Sequence, residues 1–248
     1  MKKVFSAIIA SITLLGTTAN AGVIGSFDST RAYSSYYLEG SNYDDIRNAI
    51  LADGHSVASS TSTVTTSYLG SLDVFYTGML DTAATASEIT ALQSFVTGGG
   101  TLVIGADNTA VNSLANYNSW FNPFGLSVTG GSASGGTWST STDDLLANGV
   151  AGTALGFLAG TDFAAGSYTT LATDSSGDAA VVSLAYGSGL VIGLGDGNFN
   201  DDPASIQSQQ FFQNIMSADS NQVPVPAPLA LIGIGLAAIG FTTKKRKS

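Results

Sequence analysis

In the middle of the chain, two short continuous runs of apolar residues flank a stretch in which apolar residues recur every three or four positions, the spacing of a helix. Residues 72–78 and 101–105 are apolar runs rich in β-forming side chains, which is typical of strands buried on both faces. The stretch between them opens with a capping box, Thr85-x-x-Glu88, and stops at the three glycines of residues 98–100. The pattern predicts a right-handed strand–helix–strand unit of a parallel sheet.

The flanking segments repeat this alternation of patterns. Predicted strands lie at residues 22–28, 55–59, 179–185 and 190–195, and predicted helices lie at residues 43–53, 109–120, 143–146 and from Asp202-Pro203 onward. A Tyr-Gly-Ser-Gly turn between the last two runs predicts a β-hairpin. Residues 58–67 and 126–140 are rich in Ser, Thr and Gly, which favours loops or an edge strand. We therefore expect residues 22–218 to form one α/β domain, an open and mostly parallel sheet flanked by helices.

Composition narrows the chemistry of this domain. The 248 residues include no cysteine and a single histidine, His55. The lack of cysteine excludes disulfides, thiolate metal sites and a cysteine nucleophile. No G-x-S-x-G motif accompanies His55, and we expect that side chain at the sheet edge opposite a ligand site.

Charge is distributed unevenly along the chain. Six of the eight basic residues lie at the two ends, so that only Arg31 and Arg47 accompany the 18 acidic residues between Asp28 and Asp219, a net charge of −16. Such a surface repels phosphate backbones, which excludes nucleic-acid binding as a function. The absence of lysine from the same region excludes Schiff-base chemistry.

The first 21 residues have the layout of a secretory signal peptide. Lys2 and Lys3 precede an apolar stretch, and Ala19-x-Ala21 forms a small-residue cleavage site. We predict export through the Sec machinery and a mature protein that starts at Gly22.

The C-terminal residues form a three-part tail. Residues 219–228 are a linker that contains the proline motif Val223, Pro224, Pro226 and Ala227, residues 229–243 form an apolar segment that we predict to be a membrane helix, and residues 244–248 are basic. Basic residues stay on the cytoplasmic side, so both ends predict translocation of the domain between them.

This tail resembles the PEP-CTERM sorting signal, although Val225 stands where that motif has its glutamate. The resemblance implies recognition by an exosortase-type enzyme in the inner membrane, with the domain in the periplasm. It also implies cleavage near the motif, delivery to the cell surface or extracellular matrix, and an association with biofilm and exopolysaccharide.

The domain is similar to glutamine-amidotransferase-like, flavodoxin-like domains. The residues behind this comparison are the run 72–79, the run TLVIG at 101–105 and YGSGLVIGLGD at 186–196. The enzymes of that superfamily carry a cysteine just after the strand that TLVIG resembles, where this chain has Ala106 and Asp107. The resemblance therefore implies the fold without amidotransferase activity.

Ligands of open α/β sheets bind beyond the carboxyl ends of the strands. The residues that follow the predicted strands are Asp28, Gly78, Asp107, Asn108 and Asp196, and together they are the candidate ligand-binding edge. Their polar side chains are suited to a cation or a sugar, but Asp and Asn at such turns also cap the next helix.

A second candidate is a calcium loop, since Asp196, Asn198 and Asn200 offer oxygen ligands at alternate positions. The loop lacks the glycine at its sixth position and the closing glutamate, so a turn followed by a helix cap is the alternative.

Two functions follow from these observations. The first is an exported, non-catalytic binding or structural protein of the cell surface or matrix that needs no cofactor, with Ca²⁺ as an optional ligand of the loop. The second is an envelope hydrolase, acting on carbohydrate, whose carboxylates lie at the strand ends.

Overall fold

A computed structural model describes residues 21–130, 134–156, 160–201 and 203–220. Eight strands within them are β1 Val23–Ser26, β2 Ser56–Val57, β3 Val74–Met79, β4 Thr101–Gly105, β5 Thr137–Trp138, β6 Thr169–Thr173, β7 Ala179–Tyr186 and β8 Gly189–Leu194. The α-helices are α1 Asp44–Ala52, α2 Thr66–Leu69, α3 Ala86–Thr97, α4 Leu114–Phe121 and α5 Ile206–Ser220. Short 3₁₀ turns occupy Ser41–Tyr43, Asn122–Phe124, Asp144–Leu146 and Asn198–Asn200.

The strands form one sheet in the order β2-β1-β3-β4-β8-β7-β6-β5. The first five in this order are parallel, while β7, β6 and β5 each pair antiparallel with the strand before them. This confirms the mixed α/β architecture with a mostly parallel sheet flanked by helices. The hairpin of β7 and β8 also forms where the turn at residues 186–189 predicts it.

Both faces of the sheet are covered, and strand β3 shows why. Side chains alternate across a strand, so Val74 and Tyr76 enter one buried cluster while Phe75 enters the other. Helices α1 and α5 pack on the first face, and α3 and α4 pack on the second. This burial on both sides explains why the central strands have continuous apolar sequences.

Helix starts follow the local capping side chains. The capping box of Thr85 and Glu88 forms at the start of α3 as predicted. Helix α4 begins later than the predicted residue 109, because Ser113 accepts a hydrogen bond from the Asn116 amide (3.2 Å) and serves as its cap. Helix α5 starts at Ile206 rather than at Pro203.

The predicted start of α5 is wrong because Ser205, the residue directly before Ile206, caps the helix. The Ser205 hydroxyl accepts the amide of Ser208 at 3.0 Å, which satisfies one of the unpaired N–H groups of the first turn. Asp202, at which the predicted helix begins, lies outside the described residues.

Both terminal signals fall largely beyond the described part of the chain. Residues 1–20, the proline motif, the apolar segment 229–243 and the basic end all lie outside it. Among the helices that the structure describes, none is long and apolar enough to cross a membrane. The signal peptide and the sorting tail therefore stay predictions.

Candidate functional site

The carboxyl ends of the two central strands bring two aspartates together. Strands β4 and β8 are parallel neighbours with Gly105 opposite Leu194, so Asp107 and Asp196 follow the two strands at the same edge. The two carboxyl groups hydrogen-bond to each other, and both residues are 0% exposed. We call Asp107 and Asp196 the carboxyl pair.

The polar groups around the carboxyl pair come from the turns that follow the same strands. Asp107 Oδ1 accepts the backbone N–H (2.6 Å) and the side-chain amide (2.7 Å) of Asn108. Asp196 Oδ1 accepts the backbone N–H of Asn198 at 2.6 Å. With its NH₂ turned toward the pair, the Asn198 side chain also donates to Asp196 Oδ1 (3.1 Å) and Asp107 Oδ2 (3.0 Å). A single amide thus bridges both carboxyl groups.

Burial controls the protonation of this pair. Desolvation, followed by the negative charge of Asp196, raises the pKa of Asp107 to about 7. The two arginines of the domain form ion pairs elsewhere, Arg31 with Glu88 and Arg47 with Asp44. Below about pH 7 the pair therefore holds a proton on Asp107, which removes the repulsion between two buried like charges.

The segment that follows β1, residues 28–43, packs over this edge, and we call it the capping segment. The Tyr33 amide donates to the Met79 carbonyl (2.8 Å), and the Met79 amide donates to the Tyr36 carbonyl (2.9 Å). The Tyr36 hydroxyl reaches Asp201 Oδ2 at 3.3 Å. The capping segment therefore occupies the place where a ligand binds in an open α/β sheet.

Gly78 and Asp28, the other predicted edge residues, contribute to the packing of the capping segment over the sheet edge. Gly78 has a φ of +69°, and a Cβ there would lie 2.4 Å from the Tyr36 carbonyl oxygen, so only glycine lets the capping segment approach. Asp28 Oδ1 accepts the backbone N–H (2.9 Å) and the hydroxyl (2.6 Å) of Thr30, which forms a local turn. Of the predicted edge residues, the structure brings together only Asp107, Asn108 and Asp196.

The residues of the predicted calcium loop are directed to different partners. Asp196 and Asn198 belong to the network of the carboxyl pair. Asn200 is 0% exposed, and its side-chain amide donates to the Tyr76 hydroxyl at 3.1 Å.

A second acidic cluster was not predicted from the sequence. Carboxylate oxygens of Asp162, Asp174 and Asp178 lie within 4.8 Å of one another. Desolvation and then the two neighbouring carboxylates raise the pKa of Asp162 to about 6, and its Oδ1 is buried without a hydrogen-bond partner. Asp174 and Asp178 flank the turn between β6 and β7, but only the tertiary fold brings Asp162 beside them.

His55 lies at the opposite edge of the sheet from the carboxyl pair, as its position at the start of a strand predicts. Its Nδ1 accepts the backbone N–H of Gly22 at 3.0 Å, and its Nε2 lies 3.6 Å from Asp53 Oδ2. The imidazole therefore supports the start of the fold.

Two surface cavities lie away from the carboxyl pair. One of about 480 Å³ follows α3, and its lining residues are Thr90, Gln93, Ser94, Thr97 and Gly98. Another of about 340 Å³ includes Asp143, Asp144, Ser183 and Ala218 in its lining. Neither is lined by Asp107 or Asp196.

Comparisons with known proteins reveal relatives in fold only. No protein-family model and no curated protein sequence matches the chain. The N-terminal domain of mmIFT52 superposes with a TM-score of 0.64 at 10% identity, over 82% of this chain and 98% of that domain. The cytoplasmic protein STM1381 from Salmonella typhimurium LT2 gives a TM-score of 0.57 at 13% identity, over 79% and 98%.

A third similar structure is much longer than this chain. The β-galactosidase from Rahnella sp. R3 gives a TM-score of 0.57 at 18% identity, over 83% of this chain but 32% of the enzyme. The chain thus spans about a third of that enzyme. At these identities the likeness concerns the fold, which occurs both as a whole small protein and as one part of a larger one.

Proposed function

We propose that the chain is an exported, non-catalytic binding or structural module. The observation that carries this proposal is the closed state of the sheet edge at which an α/β enzyme of this architecture would bind its substrate. Asp107 and Asp196 are fully buried there, and the capping segment packs over the strand ends. The strand-end carboxylates are therefore used for folding rather than for catalysis.

The spacing of the two carboxyl groups also argues against glycoside hydrolysis by this pair. Retaining glycosidases hold their two carboxyl groups about 5–5.5 Å apart, and inverting ones hold them about 6.5–9.5 Å apart, to leave room for the sugar or a water. Asp107 and Asp196 are in direct hydrogen-bond contact instead. A sugar ring cannot enter between them without separating β4 from β8 or displacing the capping segment.

The destination of the module is proposed from its two ends. The signal-peptide layout of residues 1–21 and the PEP-CTERM-like tail support translocation, passage through an inner-membrane intermediate, and sorting by an exosortase-type enzyme. The final location is then the cell surface or the extracellular matrix. Exopolysaccharide is the partner that the sorting signal suggests.

The alternative function is an envelope hydrolase that acts on carbohydrate. What favours it is the β-galactosidase of similar fold, although this chain corresponds to only a third of that enzyme. This alternative requires the capping segment to open and expose the carboxyl pair.

An activity screen separates the two functions. The exported protein is assayed on a panel of glycan substrates beside its Asp107→Asn and Asp196→Asn variants. Asp81→Asn, which removes an exposed carboxylate, is the matched control. We expect no turnover by any of the four proteins. Turnover that Asp81→Asn retains and either of the other substitutions abolishes would establish the hydrolase instead.

Processing is tested by mass spectrometry of the protein recovered from the cell envelope and from the medium. We expect an N-terminus at Gly22 and a C-terminus near residues 223–227. Retention of Lys244–Lys247 on the envelope form would make the tail a permanent anchor and contradict sorting by an exosortase.

A further inference from the structure

The start of the fold contains a small polar site that strand pairing alone does not require. Gly22 is buried, whereas Ala21 before it is exposed. The Gly22 N–H donates to His55 Nδ1 at 3.0 Å, and the next amide, of Val23, donates to Asp73 Oδ2 at 2.7 Å. The backbone N–H groups of Gly22 and Val23 therefore donate to an imidazole nitrogen and to a carboxylate, respectively.

We infer that Gly22, His55 and Asp73 form a docking site for a free N-terminal α-ammonium group, created when the peptide bond between Ala21 and Gly22 is hydrolysed. In that reaction a signal peptidase adds water across the bond. Ala21 leaves as the carboxylate, and Gly22 becomes an amine that takes a proton from solvent. The inference rests on the proposed export and cleavage, and it adds a structural role for the cleavage itself.

The chemistry of the site suits a cation better than an amide. An α-ammonium has three N–H donors and a positive charge, while the peptide N–H of the uncleaved chain has one donor and no charge. His55 Nδ1 is positioned to accept one of these donors, and Asp73 supplies a negative charge that the amide does not need. The exposed position of Ala21 leaves the remaining donors open to water and the peptide bond open to a protease.

The site leaves little room for a side chain at position 22. A Cβ at Gly22 would lie 3.0 Å from Met216 Cε, 3.4 Å from His55 Nδ1 and 3.6 Å from Asp73 Oδ2. Asp73 is therefore close to the Gly22 backbone as well as to the Val23 amide. A larger first residue would have to displace Met216 of α5.

The absence of lysine between Gly22 and Lys244 permits a selective chemical test. Residues 22–248 are produced from a leader with a protease site, so that the N-terminus does not depend on processing in the cell. The protein is treated near pH 7 with an amine-acylating ester, and modification of Gly22 is followed by mass spectrometry. Acylation of the tail lysines serves as the internal reference.

The decisive variant is Asp73→Asn, which keeps an acceptor for the Val23 amide and removes only the charge. We expect Gly22 of the native protein to be acylated about tenfold more slowly than in the urea-unfolded protein. Loss of the ion pair in Asp73→Asn should lower the pKa of the Gly22 amine by about one unit or less. More of the amine is then unprotonated near pH 7, so the folded variant should react about three- to tenfold faster. Asp81→Asn should leave the rate unchanged.

Thermal unfolding gives an independent readout, in which the effect of Asp73→Asn is compared between two proteins that start at different residues. Asp73→Asn should lower the melting temperature by about 2–4 °C in the protein that starts at Gly22, and by less than about 1 °C in one that starts at Ala21. Equal shifts in both proteins, or equal acylation rates with and without Asp73, would overturn the inference. A different N-terminus in the cell would refute the proposed cleavage and leave these in vitro results unchanged.

Discussion

Burial of two neighbouring carboxyl groups makes the stability of this fold depend on pH. Asp107 is 0% exposed, and its pKa rises from 3.8 to about 7 because of desolvation and then the charge of Asp196. In the unfolded chain Asp107 ionises near pH 4, while in the folded chain it keeps its proton to about pH 7. Ionisation of Asp107 therefore stabilises the unfolded state relative to the folded state across this interval, and the stability of the fold decreases as the pH rises through it.

Asp107→Asn should remove this pH dependence. An asparagine carries no charge to desolvate, and it can donate to Asp196 while the Asn198 amide rotates to accept. We expect the free energy of unfolding of the native protein to fall by roughly 2 kcal/mol between pH 4.5 and pH 7.5 relative to that of the variant, once relaxation around the pair is allowed for. Urea unfolding of both proteins at a series of pH values measures this difference in the free energy of unfolding. Parallel pH profiles for the two proteins would contradict a shared proton, and Asp81→Asn controls for the change in net charge.

Sequence reasoning located these residues but not their environment. Asp107 and Asp196 could be placed at the sheet edge because each directly follows an apolar run. Their direct contact depends on the strand order, in which β8 pairs with β4 although 83 residues separate Gly105 from Gly189, the first residue of β8. The burial of Asp107 and Asp196 depends on the capping segment, whose sequence has no pattern that indicates packing over strand ends.

The start of helix α3 is also the anchor of the capping segment. Glu88 is 3% exposed, and its Oε2 accepts the Thr85 amide (2.9 Å), the Thr85 hydroxyl (2.7 Å) and Arg31 Nη2 (2.9 Å). The Arg31 guanidinium in turn lies over the rings of Phe27 and Trp120, at 5.2 and 5.5 Å. One carboxylate therefore caps a helix and holds the only arginine of the capping segment.

Substitutions of Glu88 should separate these two roles. Glu88→Gln keeps an acceptor for Thr85 and loses the ion pair, whereas Glu88→Ala also leaves Arg31 without its partner in a largely buried position. We expect a loss of about 1 kcal/mol for the glutamine variant and about 3 kcal/mol for the alanine variant in chemical unfolding. Ser87→Ala, at an exposed position of the same turn, should be near neutral. Equal losses for the two Glu88 variants would show that the charge alone matters.

The turn between β6 and β7 carries like charges that destabilise it at neutral pH. Because the pKa of Asp162 is raised to about 6, its contribution to stability is lost as the pH rises through that value. Asp162→Asn should therefore raise the melting temperature at pH 7.5 by a few degrees. If the three carboxylates hold a cation, millimolar Ca²⁺ will stabilise the native protein more than NaCl of equal ionic strength does, and the variant will lose that difference. Equal shifts for both salts leave only charge screening.

At the scale of elements, strands with apolar sequences were predictable and polar ones were not. Strands β3, β4 and β8 are buried on both faces, so their composition identifies them directly. Strand β6, with the sequence TTLAT, was missed because its two buried residues, Leu171 and Ala172, are adjacent and form neither a continuous apolar run nor an alternating pattern. Helix α2 was missed for a similar reason, since its four residues lie in a Ser- and Thr-rich stretch and form a single turn capped by Thr65.

The part of the chain that the structure describes combines an apolar interior with a surface on which acidic residues far outnumber basic ones. Both arginines of the domain are already paired, Arg31 with Glu88 and Arg47 with Asp44. These ion pairs involve Glu88 and Asp44, and the sequence from Asp28 to Asp219 keeps a net charge of −16. Polar character comes instead from Ser, Thr and Asn, whose hydrogen bonds depend little on salt, so electrostatic repulsion should be the main salt-sensitive contribution to stability.

Salt should accordingly stabilise the fold. The residues from Asp28 to Asp219 carry a net charge of −16, and these negative charges repel one another more strongly in the compact state than in the expanded unfolded chain. Screening shortens the range of this repulsion to about 8 Å at physiological ionic strength and to about 3 Å at 1 M salt. We expect the melting temperature to rise between 10 and 300 mM NaCl and then to level off as the Debye length falls below the spacing of surface carboxylates.

The control for this effect must alter surface charge without altering the core. A variant in which four exposed acids, Asp53, Asp81, Asp144 and Asp178, are replaced by asparagine should melt higher at 10 mM NaCl and respond less to added salt. Because screening acts on pairs of charges, the two proteins should converge at high salt. A melting temperature that is flat or falling with NaCl in the native protein, or a constant difference between the proteins at all salt concentrations, would contradict charge repulsion as the cause.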